Sequence, residues 1–186
     1  MMKPEVWVAS FSAAVALGAA AMSVWATRGV SSKESFALAR SLYCDLTSES
    51  TSAARSALEF YWRGERRSVE QTRQVLDHYF ALLWCFERIR AGRESLARQR
   101  RLNGTGPALR YLDEMIRWHV EEWARRWARL RRPIQQHIGE LDDHHSIRSF
   151  CHLAHGVVTE PDARQAVTDL LDEIDAEAAR QHRGNP

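Results

Sequence analysis

From Val6 to Thr27 the chain reads VWVASFSAAVALGAAAMSVWAT, without one charged side chain, between Lys3 and Glu5 on one side and Arg28 on the other. A helix rises about 1.5 Å per residue, so this stretch makes a rod of about 33 Å, enough to cross a hydrocarbon core of about 30 Å. Trp7 and Trp25 stand near its ends, where indoles settle at the headgroup level. The first expectation is therefore a transmembrane anchor within residues 1–28. Lys3 and the amino terminus precede the stretch, whereas Arg28, Lys33 and Arg40 come after it. That bias puts the rest of the chain in the cytoplasm and the protein in the cell membrane as a single-pass species. Ala14 and Gly18 form a small-xxx-small step through which two such rods would pack.

Two other readings compete for the same residues. A cleaved signal peptide would end at Ala19-Ala20-Ala21 or Val24-Trp25-Ala26 and leave a secreted helical protein. Against it, Glu5 opposes the positive start of such a leader, and the run is longer than an h-region of roughly 7–15 residues. A buried core helix is the third reading, but core helices keep a polar face that this stretch lacks.

The chain beyond the anchor is long enough for one core and one domain, expected over 31–182, with 183–186 as a frayed tail. Capping signals recur along it. Ser31-x-x-Glu34 and Ser68-x-x-Gln71 read as capping boxes, Thr47 or Ser48 as a cap, and Thr159-x-x-Asp162 as the cap of the last helix. The predicted helices run to about Leu46, then to Gly64, then from Val69 to Ala91 with Gly92 as the stop. Asn103-Gly104-Thr105-Gly106-Pro107 is the clearest turn, and the helix after it is expected to stop at Pro133. A short helix carrying Ile134, Ile138 and Leu141 should come next, then one ending at Gly156, then one from about Glu160 to Gln181. Apolar residues recur at three- and four-residue steps throughout, as in Leu109, Leu112, Ile116, Val120, Trp123, Trp127 and Leu130. The segment Tyr79–Phe86 is apolar on nearly every side, which places its helix at the centre. In the last helix Ala163, Val167, Leu170 and Ile174 face inward, with Asp169, Asp172, Glu173 and Glu177 outward. No alternating pattern of strand length occurs, so the fold class is all-α: a helical bundle of about five to seven helices behind one anchor.

The blocks LLWCFERIRAGR (Leu82 to Arg93) and LDEMIRWHVEEWARRW (Leu112 to Trp127) sit within that layout. Together with the N-terminal stretch they resemble uncharacterised bacterial membrane proteins with one N-terminal transmembrane helix and an all-helical cytoplasmic domain. The resemblance implies an architecture and carries no activity.

Two constellations are candidates for chemistry. The first is a metal cluster of Asp142, Asp143, His144, His145, Cys151, His152 and His155, with Asp142, His145, His152 and His155 as the expected ligands. His152 and His155 are i,i+3 on a helix, Asp142 and His145 are spaced alike, and Cys151 is near. The spacing matches no standard zinc pattern, and a di-iron bundle needs two carboxylate-x-x-His steps rather than one. The second is basic. Glu87 to Arg132 holds 13 Arg against 6 acidic residues, whereas Gly139 to Glu177 holds 2 Arg against 10. Arg125, Arg126, Arg129, Arg131 and Arg132 would face anionic lipid or a protein partner, with Trp123 and Trp127 at an interface. The preferred alternative is intramolecular: both tryptophans in the core, and the basic helix beside the acidic one.

No GxSxG, HExxH or phosphate-cradling glycine loop is present. The three cysteines, Cys44, Cys85 and Cys151, are too few and too far apart for a disulfide framework. Reduced thiols suit a cytoplasmic domain. The favoured function is a membrane-anchored interaction or scaffold protein without catalytic motif or cofactor. Its partners would be the bilayer and a protein or second copy of itself, and nucleic acid is not expected. A metal-binding sensor or enzyme is the alternative.

Overall fold

Ser48 separates the first two helices. Its backbone is extended (φ −61°, ψ 158°) and its Oγ accepts from Thr51 N at 3.3 Å, so α1 (32–47) ends and α2 (Glu49–Arg63) begins there. The computed structural model describes residues 32–64 and 68–184. The expected anchor Val6–Thr27, the step Ala14–Gly18 and the cap at Ser31 lie outside the described residues. No described helix is long and apolar enough to cross a membrane.

The capping box at Ser68 forms as expected: Ser68 Oγ accepts from Gln71 N and Gln71 Oε1 accepts from Ser68 N, both at 3.1 Å. It opens α3 (Val69–Asn103), which passes through Gly92 instead of stopping there. The glycine serves close approach. A Cβ at position 92 would overlap the branched end of Leu42 on α1, so its missing side chain lets two helices touch. The helix ends at Gly104, whose φ of 67° lies in the left-handed region. Thr105 Oγ1 donates to Leu96 O at 2.6 Å and pins the turn.

α4 (Gly106–Ile138) has Pro107 in its first turn, and it too runs past its expected stop. Pro133 removes one helical N–H, a loss of about 3 kcal/mol in a helix interior. Ile134, next to it, is 0% exposed, and full burial of such a side chain returns about 1.5–3 kcal/mol. The short helix expected after Pro133 is the continuation of α4. α5 (His144–His155) and α6 (Pro161–Gly184) complete the fold; α6 reaches two residues into the expected tail. Six helices and no strand occur among the described residues, so the fold is all-α.

α3 is the centre, packed against α2, α4 and α5. Its Tyr79, Leu82, Leu83, Phe86 and Ile89 are each 0% exposed. The aromatic core joins Tyr79, Phe86, Trp127 and Phe150, with centroids 5.4 Å apart for Tyr79–Trp127 and 5.0 Å for Phe86–Phe150. α3 and α4 form a long hairpin. α5 lies on α3, α6 lies on α4, and α5 and α6 pack together. On the other side, α1 and α2 form a rod bent at Ser48. Phe36 and Tyr43 of α1 meet Tyr111 and His119 of α4, and Tyr61 of α2 bonds Thr72 of α3 at 2.9 Å.

Candidate functional site

The proposed metal residues do not come together. Asp142, His145, His152 and His155 are all exposed, and no three His, Cys, Asp or Glu side chains converge among the described residues. Helix geometry explains this. α5 buries Ile147, Phe150, Cys151 and Ala154, which turns the histidines outward. His145 and His152 are also about 10 Å apart along the axis. Cys151 is buried among apolar groups, which pushes its thiol up to about 12 and leaves it inert.

The neighbours of the expected ligands form the site that does exist. Asp143, not Asp142, is buried at 0% exposure. Its Oδ2 accepts from Tyr79 Oη at 2.6 Å and from Arg131 Nε at 2.9 Å, and its Oδ1 accepts from Arg131 Nη2 at 2.9 Å. Arg131, also 0% exposed, donates from Nη1 and Nη2 to Glu177 at 2.9 and 2.6 Å. His144 Nε2 lies 3.3 Å from Glu177 Oε2. One guanidinium thus joins α4 to the start of α5 and to α6, while Tyr79 ties in α3. Glu177, expected outward, turns in because Arg131 is there.

Both ends of this network are electrostatically settled. Burial opposes the charge of Arg131, but its bonds to Asp143 and Glu177 outweigh that and raise its pKa. Those bonds hold Glu177 below the usual glutamate range. Burial, then the Asp143 carboxylate, push the Tyr79 phenol well above its ordinary value, so it keeps its proton and donates. Each carboxylate oxygen of Asp143 already has a donor, which makes the cluster a brace rather than a reactive centre.

The basic run divides residue by residue. Arg131 lies in the interior and cannot meet lipid or a partner. Arg126 stacks near Trp62 and Trp123, at 5.6 and 5.4 Å from their centroids, and pairs with Glu59 and Glu122. Arg125 Nε bonds Asp162 Oδ2 at 2.7 Å, and Arg132 Nη2 bonds Glu173 at 3.2 Å. Arg129 is exposed and in no ion pair among the described residues. Trp123 and Trp127 lie in the core at 2% and 0% exposure. Opposite charge on α6 therefore engages most of the run.

The start of α6 has an unexpected cap. Glu121 Oε1, from α4, accepts from Thr159 N at 2.9 Å, Thr159 Oγ1 at 3.1 Å and Glu160 N at 3.2 Å. Thr159 donates its hydroxyl rather than capping with it, and Asp162 turns to Arg125. Burial pushes Glu121 up, but the two N–H groups outweigh it and hold the carboxyl below its usual range.

A groove of about 290 Å³ between α2 and α3 is lined by Phe60, Tyr61, Gln71, Gln74, Val75 and His78, among others, without a carboxylate or thiol. No family model, curated protein or solved structure matches this chain. Its role has to be read from its own residues. Asp143 belongs to the cluster expected to bind metal, but its bracing role, and those of Tyr79, Glu177 and Glu121, were not expected from the sequence. Their only local signals were a polar Asp-Asp-His-His break and a Glu-Glu pair, and neither distinguishes one neighbour from the next.

Proposed function

We propose that this chain is a membrane-anchored helical interaction protein, a single-pass anchor holding an all-α bundle at the cytoplasmic face. The observation that carries this reading is the uncharged, bilayer-length stretch Val6–Thr27 and its short distance from the bundle. α1 is already helical at residue 32 and is locked into the core by Ala39, Leu42 and Leu46. The connection is too short to let the bundle wander from a leaflet. The buried cluster of Tyr79, Arg131, Asp143 and Glu177 is committed to holding helices together, which suits a scaffold. The exposed rings of Phe60, Trp84 and Trp118, at 81%, 57% and 65%, offer contact points for a protein partner or a second copy.

Membranes from cells expressing the full chain test the reading. The protein should stay with the pellet after high-salt and carbonate washes, and its intact mass should include the N-terminal stretch. Release by carbonate would overturn the anchor. A mass starting after Ala21 or Ala26 would replace it with a secreted protein.

A further inference from the structure

One end of the bundle is basic, and it is the end where the N-terminal segment enters. α1 runs antiparallel to α3, with Leu42 over Gly92 and Asp45 Oδ2 3.7 Å from Arg88 Nε. It runs parallel to α4, with Phe36 against Tyr111 and Tyr43 against His119. The N-terminal side of Phe36 on α1 therefore points toward the α3–α4 turn at Gly104. On the far side of the hairpin, α5 stops lower down: Gly156 O accepts from Arg93 Nη2 at 2.9 Å, and Arg93 Nε also holds Asp113 at 2.7 Å. α6 then starts level with Glu121 and Arg125 and runs away from this end, its Glu173 and Glu177 meeting Arg132 and Arg131. Beyond Arg93 and Asp113 the hairpin projects past α5 and α6.

The projecting end carries exposed Arg98, Arg100 and Arg110, with Lys33 and Arg40 on the adjoining α1. None of the five makes an ion pair among the described residues. Arg100 Nε and Arg110 Nη1 flank Gly106, 3.7 and 3.8 Å from where its side chain would begin. Two guanidinium groups thus crowd one spot. Glu94 and Asp113 are taken by Arg90 and Arg93, which leaves Glu34 and Glu114 as the exposed acids nearby. Between the cations, Phe36 and Leu38 are 40% and 36% exposed. The acidic residues Asp172, Glu173 and Asp175 lie toward the opposite end.

We infer that this end is a membrane-contact surface for an anionic leaflet, with Lys33, Arg40, Arg98, Arg100 and Arg110 on lipid phosphates and carboxylates and Phe36 and Leu38 in the interface. The inference rests on the anchored reading above, because the anchor is what brings this end to a bilayer. Each Lys or Arg near an anionic surface contributes about fivefold in association, and guanidinium groups match phosphate oxygens in pairs. The acidic far end is repelled by the same surface, so the bundle stands upright on the leaflet instead of lying along it.

The test uses the full chain carrying Cys44→Ser and Leu38→Cys, labelled with an environment-sensitive fluorophore; Cys85 and Cys151 are buried and do not compete. It is reconstituted into vesicles of phosphatidylcholine alone and of phosphatidylcholine with phosphatidylserine. With phosphatidylserine the emission should move to shorter wavelength and quenching by neutral acrylamide should fall at least about twofold. High salt should reverse both, since screening shortens to about 3 Å at 1 M. Arg98→Glu/Arg100→Glu/Arg110→Glu, folded by circular dichroism, should abolish both. Equal quenching in the two vesicles would overturn the inference, as would protection that survives the triple substitution, including protection by a second copy. Flotation separates the two readings. A chain that floats with phosphatidylcholine vesicles yet stays equally quenched when phosphatidylserine is included keeps its anchor and loses this surface. A chain that does not float with them loses the anchor.

Discussion

At Arg131 one side chain carries charge into the interior and leaves none unpaired. Arg131 and Asp143 are both 0% exposed, and Glu177 closes the other face of the guanidinium. Burying two charges is expensive, so such a pair adds little net stability, but removing one member strands the other. Arg131→Met should therefore cost about 3–5 kcal/mol in urea unfolding. Arg131→Lys should recover only part of that, because a single ammonium cannot hold two carboxylates in paired bonds. An Arg131→Met chain as stable as wild type would show that Arg131 does not compensate the burial of Asp143 and Glu177. Sequence alone did not reveal this pair. Asp142 and Asp143 are identical to any local rule, and only the packing of α5 against Tyr79 and Arg131 decides which one goes in.

At the scale of elements, helix starts were legible wherever the cap lies within one turn of what it caps. Ser48 and Ser68 are of that kind. α6 is not, since the N–H groups of Thr159 and Glu160, just before it, are held by Glu121, 38 and 39 residues earlier in the chain. Glu121→Gln keeps the shape but gives up the charge that the helix N-terminus favours. It should lower stability by about 0.5–2 kcal/mol, the usual range for a lost cap, and hydrogen exchange should rise first over the opening turn of α6. If exchange rises evenly over the whole bundle instead, Glu121 is not a local cap. The stops were less legible than the starts. Gly92 and Pro133 carry the local marks of helix ends, yet Leu42 over Gly92 and the burial of Ile134 hold both inside long helices.

For the whole molecule, the ion pairs make folding depend on acidity, and the pKa shifts set the direction. Glu121 and Glu177 have folded pKa values below the ordinary glutamate value, so their contributions are complete above about pH 4.3 and are lost as pH falls through the depressed values. His119 shifts down as well, first because it is buried and second because Arg55 is beside it. Arg55 Nη1 can only donate, so His119 Nδ1, at 2.9 Å, accepts and the ring is neutral. Its contribution is complete above about pH 6.5 and is lost as pH falls through the lower folded value. Urea midpoints should therefore decline in two stages on acidification. His119→Gln should remove the first stage and Glu177→Gln should flatten the second. A midpoint that stays level from about pH 7 to about pH 5 in wild type would contradict the His119 assignment.

The amino-acid sequence by itself determined the all-α class, the central place of α3, the caps at Ser48 and Ser68, the turn at Gly104 and the inward stripes. Each of these is set by residues within a turn or two of each other, where spacing and side-chain type suffice. Only the tertiary structure decided that the four expected metal ligands stay exposed and do not converge, that Asp143 and Glu177 share Arg131, that Glu121 braces the start of α6, and that Lys33, Arg40, Arg98, Arg100 and Arg110 gather at one end. Those outcomes join residues from separate helices, and which faces meet depends on the packing of the whole core rather than on any local pattern.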